Sequence, residues 1–344
     1  MIALAIDAMG GDFAPRAVIE GIGEALDSNP LIDRLFLVGD EARISTELQR
    51  TGKAGDSRLE IVHTDQFVDM HEPAATAVRS KKRSSIALAV DLVKKGEAQG
   101  VVSAGHTGAA VASTVLKLRT MPGIDRPAIA TVFPAPSGRF VVLDAGANVD
   151  CTTTNLLQFA AMGEIYAHDI LGIPSPRIGL LNIGHEPGKG NELVKNTFNE
   201  LSKLDGINFV GNIEGHDLFD NAVDVVVCDG FVGNVLLKCS ESVAKVFGRF
   251  LKQNLQKNPI RKLGALLSRK AYAELKATSD YAEYGGAPLL GVNGVCIIGH
   301  GSSSPKAIKN AIRVATEAVA ENLNAHIMRR LEELGVEDEA KEED

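Results

Sequence analysis

Glycine, asparagine, serine, threonine and histidine recur in the turns that follow seven short apolar runs of this chain. These turns span residues 7–12, 103–109, 144–148, 184–191, 211–215, 228–234 and 299–303. Glycine allows backbone N–H groups to turn toward an anion, and the N-terminus of a following helix adds positive potential. The pattern therefore predicts phosphate-binding turns, although tight strand-to-helix turns also use glycine for geometry alone.

The apolar runs alternate with amphipathic helical patterns as far as about residue 330, which favours an α/β fold. We expect a doubly wound, mostly parallel sheet with helices on both faces, and all seven turns at its one carboxyl edge, where ligands bind. Residues 128–134 and 139–143 have the pattern of a β-hairpin, so the sheet should be mixed. Residues 305–331 are predicted to form one helix.

Charge is distributed unevenly over the 344 residues, whose formal net charge is −8. Residues 334–344 carry −5, whereas residues 245–276 carry +8 among many apolar side chains. We predict one α/β domain over residues 1–332, with a protruding helical hairpin at about 245–276, and an acidic disordered tail over residues 333–344. Pro259 should break the hairpin into two helices.

The acidic balance speaks against nucleic acid as a partner. The basic hairpin suits an anionic membrane surface or an acidic carrier protein, and it suits the interface of a homodimer equally well. No apolar stretch approaches the roughly 18 residues that would span a bilayer, and the start is not signal-like, so we expect a cytoplasmic protein. The four cysteines lack CxxC spacing and are predicted to be reduced and mostly buried.

Familiar catalytic motifs are missing from the sequence. There is no GxGxxG after a strand, no HExxH and no GxSxG, which disfavours nicotinamide enzymes, zinc peptidases and elbow-type serine hydrolases. Residues 184–190 resemble a P-loop but have three residues where it has four, and Gly190 replaces the hydroxyl that would bind magnesium. We therefore expect neither a metal nor a cofactor in the catalytic site.

These turns suit a reaction in which phosphate is the nucleophile. Phosphate carries free oxygens at pH 7, and a thiol with a pKa of about 8.5 leaves readily as thiolate. Acyl transfer from a thioester to phosphate then needs mainly positioning, desolvation and donors for the tetrahedral oxyanion. Glycine-rich strand ends supply such donors.

Several motifs together resemble the bacterial phosphate acyltransferase of phospholipid synthesis, the PlsX family. They are IDAMGGD (6–12), VSAGHTGA (102–109), LLNIG (180–184) with KGN (189–191), GNIEG (211–215), DVVVCDGFVGN (224–234) and GGAPLLG (285–291) followed by HGS (300–302). The likeness covers nearly the whole chain apart from the acidic tail. It implies a fold similar to the isocitrate and isopropylmalate dehydrogenases and to the phosphate acetyl- and butyryltransferases.

The resemblance also implies an activity and partners. Such an enzyme converts acyl-[acyl-carrier-protein] and inorganic phosphate to acyl phosphate, which a membrane acyltransferase passes to glycerol 3-phosphate. It would be a cytoplasmic homodimer, peripherally associated with the membrane.

Candidate site residues follow from these motifs. Asn234 would orient phosphate or polarise the thioester carbonyl, His300 would contact phosphate or take part in catalysis, and Lys189 would offset the phosphate charge. The expected phosphate and oxyanion ligands are Gly10, Gly11, Ser103, Gly105, Thr107, Gly108, Asn148, Gly230, Gly233, Gly301, Ser302 and Ser303.

Some positions depart from the related patterns. His106 stands where the family often has Asn, and residues 185–188 replace a more acidic stretch, so the roles of His106 and His185 stay open. The short-chain enzymes have an Arg near the position of Ser302 that has no counterpart here. Asp7, Asp12, Asp144 and Asp229 are the residue type that caps or braces turns of this kind.

Two other functions fit the same sequence. One is a short-chain phosphate acyltransferase that uses acyl-coenzyme A. The other is a non-catalytic phosphate-binding scaffold that recruits partners to the membrane through the basic hairpin.

Overall fold

The computed structural model describes residues 1–136, 138–278 and 283–336. Its strands form one mixed sheet in the order β3-β2-β1-β4-β11-β10-β5-β6-β9-β7-β8. Their bounds are β1 (Ile2–Asp7), β2 (Ile32–Gly39), β3 (Leu59–His63), β4 (Gly100–Ser103), β5 (Ala128–Ala135), β6 (Gly138–Leu143), β7 (Ile178–Leu181), β8 (Phe209–Ile213), β9 (Val225–Val227), β10 (Ala287–Leu290) and β11 (Val295–Ile298).

Helices cover both faces of this sheet, as the sequence predicts. Their bounds are α1 (Arg16–Ser28), α2 (Glu41–Arg50), α3 (Ala74–Ser80), α4 (Ser85–Lys94), α5 (Thr107–Leu118), α6 (Thr153–Asp169), α7 (Glu192–Leu201), α8 (Gly230–Leu255), α9 (Pro259–Leu267), α10 (Arg269–Thr278), α11 (Pro305–Ala320) and α12 (Leu323–Leu334). A short 3₁₀ turn, Asp217–Phe219, follows β8. Of the helices described, none has both the length and the hydropathy needed to cross a bilayer.

The sheet consists of two blocks of strands that run in opposite directions. Strands β3, β2, β1, β4 and β11 are parallel to one another, and β6, β9, β7 and β8 are parallel to one another. Between the blocks, β10 is antiparallel to both β11 and β5, and β5 forms the predicted antiparallel hairpin with β6. The expectation of one common carboxyl edge is therefore wrong, because the hairpin reverses the chain and the later strands pair with β6.

Each block has apolar layers on both faces, which follows from the alternation of side chains along a strand. In β1, Leu4 and Ile6 belong to the layer beneath α1 and α11, while Ala5 belongs to the layer beneath α4 and α5. In β9, Val225 and Val227 pack with α6 and α12, while Val226 faces the opposite layer. Central strands that are buried on both sides account for the continuous apolar runs in the sequence.

Two predicted helical segments are divided differently in the structure. Residues 305–331 form two helices, because Asn322 adopts a left-handed conformation with φ 52° and redirects the chain into the core at Leu323. The hairpin region forms three helices rather than two. Pro259 begins α9, capped by Asn258, and a further break at Ser268 precedes α10.

The beginning of the predicted acidic tail is ordered. Helix α12 continues to Leu334, and both Leu334 and Val336 are buried in the same apolar layer as α6. The Gln158 amide donates a hydrogen bond to the Val336 carbonyl at 3.2 Å. The remainder of the predicted tail, residues 337–344, lies outside the described residues.

Candidate active site

Three turns of the first block pack directly against one another. The N–H of Asp12, after β1, donates to the carbonyl of Gly301, after β11, at 2.8 Å. A Cβ on Gly10 would lie 2.7 Å from the Gly105 nitrogen, and one on Gly11, which has φ 106°, would lie 2.9 Å from the Gly301 oxygen. Glycine is therefore required here for close approach of three backbone segments.

A buried carboxylate supports these turns from below. Asp7 Oδ2 accepts a hydrogen bond from Ser103 Oγ at 2.7 Å, and Ser103 Oγ in turn accepts one from the Gly105 N–H at 3.1 Å. Burial raises the pKa of Asp7, while hydrogen bonds from Ser85 and Ser103 lower it in part. Ser103 was predicted to bind phosphate, and in the structure it braces the β4 turn.

A second buried carboxylate, Asp144, organises the loop after β6. Its Oδ1 accepts from the N–H groups of Ile129 and Gly146, and its Oδ2 accepts from the N–H and the side-chain amide of Asn148, all within 3.1 Å. Burial raises the pKa of Asp144, and the hydrogen bonds to Ala147, Ile129 and Asn148 oppose that shift. Because the Asn148 amide also donates to the Pro127 carbonyl at 2.7 Å, this side chain is engaged in bracing.

Helix α8 begins in contact with that loop. Asp229 caps it by accepting from the Val232 N–H at 2.8 Å, and the Gly230 N–H donates to the Asn148 carbonyl at 2.8 Å. A Cβ on Gly233 would lie only 1.9 Å from the Asp144 carbonyl oxygen. Gly230 and Gly233, predicted as phosphate ligands, thus set the position of α8 and of Asn234 on its first turns.

A cavity of about 370 Å³ lies where the two blocks meet. The turns after β4, β6, β9 and β11 reach it from both directions, together with residues of β5, β10 and α8. Its lining residues are Thr107, Ile129, Thr131, Val132, Ala145, Gly146, Asn234, Leu237, Lys238, Glu241, Tyr284, Gly286, Ala287, Ile298, Gly299 and His300.

The cavity unites only part of the predicted site. Thr107, Asn234 and His300 line it, although they lie far apart in the sequence. The other predicted ligands of the first block lie in the turns after β1, β4 and β11 but are not among the lining residues; they are Gly10, Gly11, Ser103, Gly105, Gly108, Gly301, Ser302 and Ser303. Asn148, Gly230 and Gly233 support the cavity from the second block.

The β11 turn holds the His300 ring in a defined state. The Ser302 N–H donates to His300 Nδ1 at 3.2 Å, so in the neutral ring the proton is on Nε2. Ser303 is buried, and its hydroxyl donates to the His300 carbonyl at 2.6 Å. His106, whose role the sequence leaves open, caps α5 by accepting from the Ala109 N–H at 3.3 Å.

Lys189, which the sequence predicts to offset the phosphate charge, does not line the cavity, whereas Lys238 does. Lys189 lies in the loop after β7, where its carbonyl accepts from the Asn182 amide at 3.2 Å, and it is not among the lining residues. Lys238 does line the cavity, with its Nζ 3.5 Å from a Glu241 oxygen. Its position four residues after Asn234 on α8 was the signal that sequence reasoning missed, because such residues share a helix face.

A second, apolar cavity of about 510 Å³ shares a wall with the first. Both are lined by Thr131, Val132, Leu237, Glu241 and Tyr284. The second continues along α8 past Cys239 to Val243 and Ala244, and it also contacts Phe133 and Phe219. The first cavity has the larger share of polar lining, so the site has a more polar end and a more apolar end.

Solved structures of similar fold are phosphotransacylases. A phosphotransacetylase from Streptococcus pyogenes superposes with a TM-score of 0.60 at 18% identity, over 93% of this chain and 94% of the other. A branched-chain phosphotransacylase from Enterococcus faecalis superposes with a TM-score of 0.54 at 17% identity, over 93% of this chain and 100% of the other. The chain therefore has the phosphotransacylase fold.

Closer relatives share about half of its residues. A family profile described as "Fatty acid synthesis protein" matches residues 2–326. A protein named phosphate acyltransferase from Pelotomaculum thermopropionicum is 51% identical, over 97% of this chain and 96% of that protein. Another of the same name from Citrifermentans bemidjiense is 49% identical, over 96% of this chain and 93% of that protein. The chain belongs to this phosphate acyltransferase family, as the motif resemblance implies, and it is an acyltransferase. The non-catalytic scaffold is set aside.

Proposed function

We propose that the protein transfers a fatty acyl group from acyl-[acyl-carrier-protein] to inorganic phosphate and releases an acyl phosphate for phospholipid synthesis. The observation that carries this proposal is the shared wall between the polar cavity, which holds Thr107, Asn234 and His300, and the apolar cavity along α8. Phosphate would occupy the first cavity and the acyl chain the second, with the thioester carbon where they meet.

The polar end suits an anionic nucleophile. The first turns of α5 and α8 line it, and helix N-termini favour bound anions. We assign phosphate binding to Thr107 and to the His300 Nε2–H, and charge compensation to Lys238 in place of Lys189. Asn234 would donate its amide to the thioester carbonyl.

The transfer step then needs no strong base. A phosphate oxygen attacks the carbonyl carbon and forms a C–O bond, and the electron pair passes to the carbonyl oxygen. Collapse of this oxyanion breaks the C–S bond, and the carrier leaves as thiolate. Donors held in place before reaction stabilise the developing charge, which is commonly the largest contribution to such catalysis.

The apolar cavity favours a long acyl chain over a short one. Ligand pockets of about 300–1,000 Å³ bury most of a drug-sized ligand, and this one, at about 510 Å³, is lined mainly by aliphatic and aromatic side chains. A short-chain donor would leave that surface unfilled. Acyl-coenzyme A remains the competing carrier for the same cavity.

The helical hairpin is the proposed contact surface for the carrier, the membrane and a second copy of the chain. Its apolar side chains are exposed on α8 and α9, including Phe247, Phe250, Leu263 and Leu267, next to the bases of the +8 segment. We propose a cytoplasmic homodimer that binds an anionic membrane peripherally and delivers its product to a membrane glycerol-3-phosphate acyltransferase. Flotation with anionic vesicles at low and high salt, and mass measurement by light scattering, test these two contacts separately.

The transfer itself is tested with purified protein, acyl-[acyl-carrier-protein] and phosphate. We expect free thiol and acyl phosphate to form only when both substrates are present. Release of thiol without phosphate would indicate a thioesterase, and faster reaction with short-chain acyl-coenzyme A would select the alternative donor.

A pair of variants tests where the acyl chain of the substrate binds. Ala244→Phe fills the far end of the apolar cavity, so we expect the rate with long chains to fall and the rate with short chains to be kept. Ser242→Phe adds a ring to the same helix at a residue outside both cavities and should leave the chain-length profile unchanged. Equal profiles for the two variants would contradict this placement of the acyl chain.

A further inference from the structure

Two histidines and two carboxylates meet outside the proposed active site. His185 lies in the loop after β7, and Glu214, His216 and Asp217 lie in the loop after the neighbouring strand β8. Ligand atoms of His185, His216 and Asp217 all lie within 4.8 Å of one another. None of these four residues lines either cavity of the proposed site.

The tautomer of His185 follows from its backbone contact. Its Nδ1 lies 3.2 Å from the Asn212 carbonyl oxygen, which can only accept, so Nδ1 carries the proton. In the neutral ring, Nε2 then has a lone pair, and it faces Asp217 Oδ2 at 3.5 Å and Glu214 Oε1 at 3.6 Å. A cation between these acceptors, either a second proton on the ring or a metal ion, would remove their mutual repulsion.

The separations are longer than most hydrogen bonds and are compatible with a shared metal ion. His216 Nε2 lies 3.3 Å from Asp217 Oδ1, and His185 Nε2 lies 3.5 Å from the other oxygen, Oδ2; both distances exceed the 2.7–3.2 Å typical of N–H···O bonds. Tetrahedral ligands at about 2.0–2.1 Å from a zinc ion are about 3.4 Å apart.

Supporting hydrogen bonds of the kind found around metal ligands are already in place. A ligating histidine usually donates its other N–H to a carbonyl, and a ligating carboxylate is itself hydrogen-bonded. His185 makes the first of these contacts with Asn212, and Asp217 Oδ2 accepts from the Glu214 N–H at 2.7 Å.

A second histidine cluster in this protein has the shorter distances expected when histidines donate hydrogen bonds directly to a carboxylate. His168 Nδ1 and His326 Nδ1 each lie 2.7 Å from an oxygen of Asp169, which is hydrogen-bond length. Those rings donate directly to the carboxylate, so no cation is needed there. This second cluster supplies a matched control.

We propose that His185, His216 and Asp217 bind one divalent cation of the zinc class, with water in the fourth position beside Glu214. The sequence showed no short ligand spacing because the two histidines lie on different loops. The ion would join these loops and fix the 3₁₀ turn that begins at Asp217. Since Phe219 in that turn lines the apolar cavity, the ion would hold one wall of that cavity in place.

The test is metal binding by the full chain without a histidine tag. After equilibrium dialysis against Zn²⁺, elemental analysis should find one ion per chain, and Co²⁺ in its place should give the visible absorption of a tetrahedral site. His185→Ala and His216→Ala should each weaken Zn²⁺ binding by about 100-fold, since changes to supporting contacts alone cost about 10–100-fold. His168→Ala should bind as the unchanged protein does.

Thermal unfolding provides an independent measurement. Zn²⁺ should raise the Tm of the unchanged protein and of His168→Ala, but not that of His216→Ala, because an ion that binds only the folded state stabilises it. The proposal is overturned if the unchanged protein takes up no Zn²⁺ in dialysis, or if His185→Ala and His216→Ala bind it as tightly as the control.

Discussion

Replacing Gly233 with alanine should disable the proposed active site without touching a substrate. The new Cβ would lie 1.9 Å from the Asp144 carbonyl oxygen, and real Cβ atoms are essentially never found closer than 3.0 Å to such an atom. Either α8 or the loop after β6 must therefore move by more than about 1 Å. The loop resists movement, because hydrogen bonds from the backbone N–H groups of Ile129, Gly146 and Asn148 hold Asp144 in place.

The size of the effect follows from this geometry. Overpacking a tight contact costs about 1–3 kcal/mol, and we expect the upper end of that range because the opposing atoms are backbone. Asn234, the next residue, moves with the start of α8, and a misplacement of about 1 Å can cost about 100-fold in rate. We therefore expect a loss of about 3 kcal/mol in the free energy of unfolding and a roughly 100-fold lower kcat/KM.

Gly248 in the same helix provides the control. A Cβ there meets no atom within 4 Å, so alanine should stabilise the protein by about 0.5–1 kcal/mol, as it does for a glycine inside a helix. Urea unfolding and the acyl-transfer assay are to be measured on both variants. If Gly233→Ala retained the stability and rate of the unchanged protein, the close contact between α8 and Asp144 would be refuted.

Three further predictions concern charge and access. Lys238→Met should raise KM for phosphate by about tenfold, since hydrogen bonds to charged groups contribute about 1.5–3 kcal/mol, whereas Lys189→Met should leave it unchanged; equal effects would contradict the assignment. Cys239 is exposed and lines the apolar cavity, so a long-chain acyl carrier should slow its alkylation by a maleimide, while free phosphate should not. Arg58 lowers the pKa of Asp56 from 3.8 to about 2, so this carboxylate stabilises the fold above pH 3.8 and loses that effect as the pH falls through 2. Urea unfolding between pH 5 and 2 should show a smaller decline for Asp56→Asn, and an unchanged decline would refute the ion pair.

Local elements of the fold could be predicted from short stretches of sequence. The hairpin of β5 and β6 is confirmed, because strand alternation and turn residues act over a few neighbours. Strand β10 was missed: Pro288 lies inside it and glycines flank it, both of which normally argue against a strand. The break at Asn322 was missed because its left-handed conformation depends on the packing of Leu323 against residues far away in the sequence.

For the site residues, too, local sequence predicts the residue types of the turns, but not which turns lie together. The prediction that the glycine-rich turns bind an anion rests on residue types alone, because the backbone conformation that glycine permits is a local property. The reversal of the chain at the β5–β6 hairpin decides which turns meet. It brings Asn234 and His300 to one cavity and leaves Lys189 outside the lining of that cavity. Chain direction in a sheet depends on pairing between strands far apart in sequence, so the family and the chemistry could be inferred from the amino acids, but the cavity could be located only once the strands were paired.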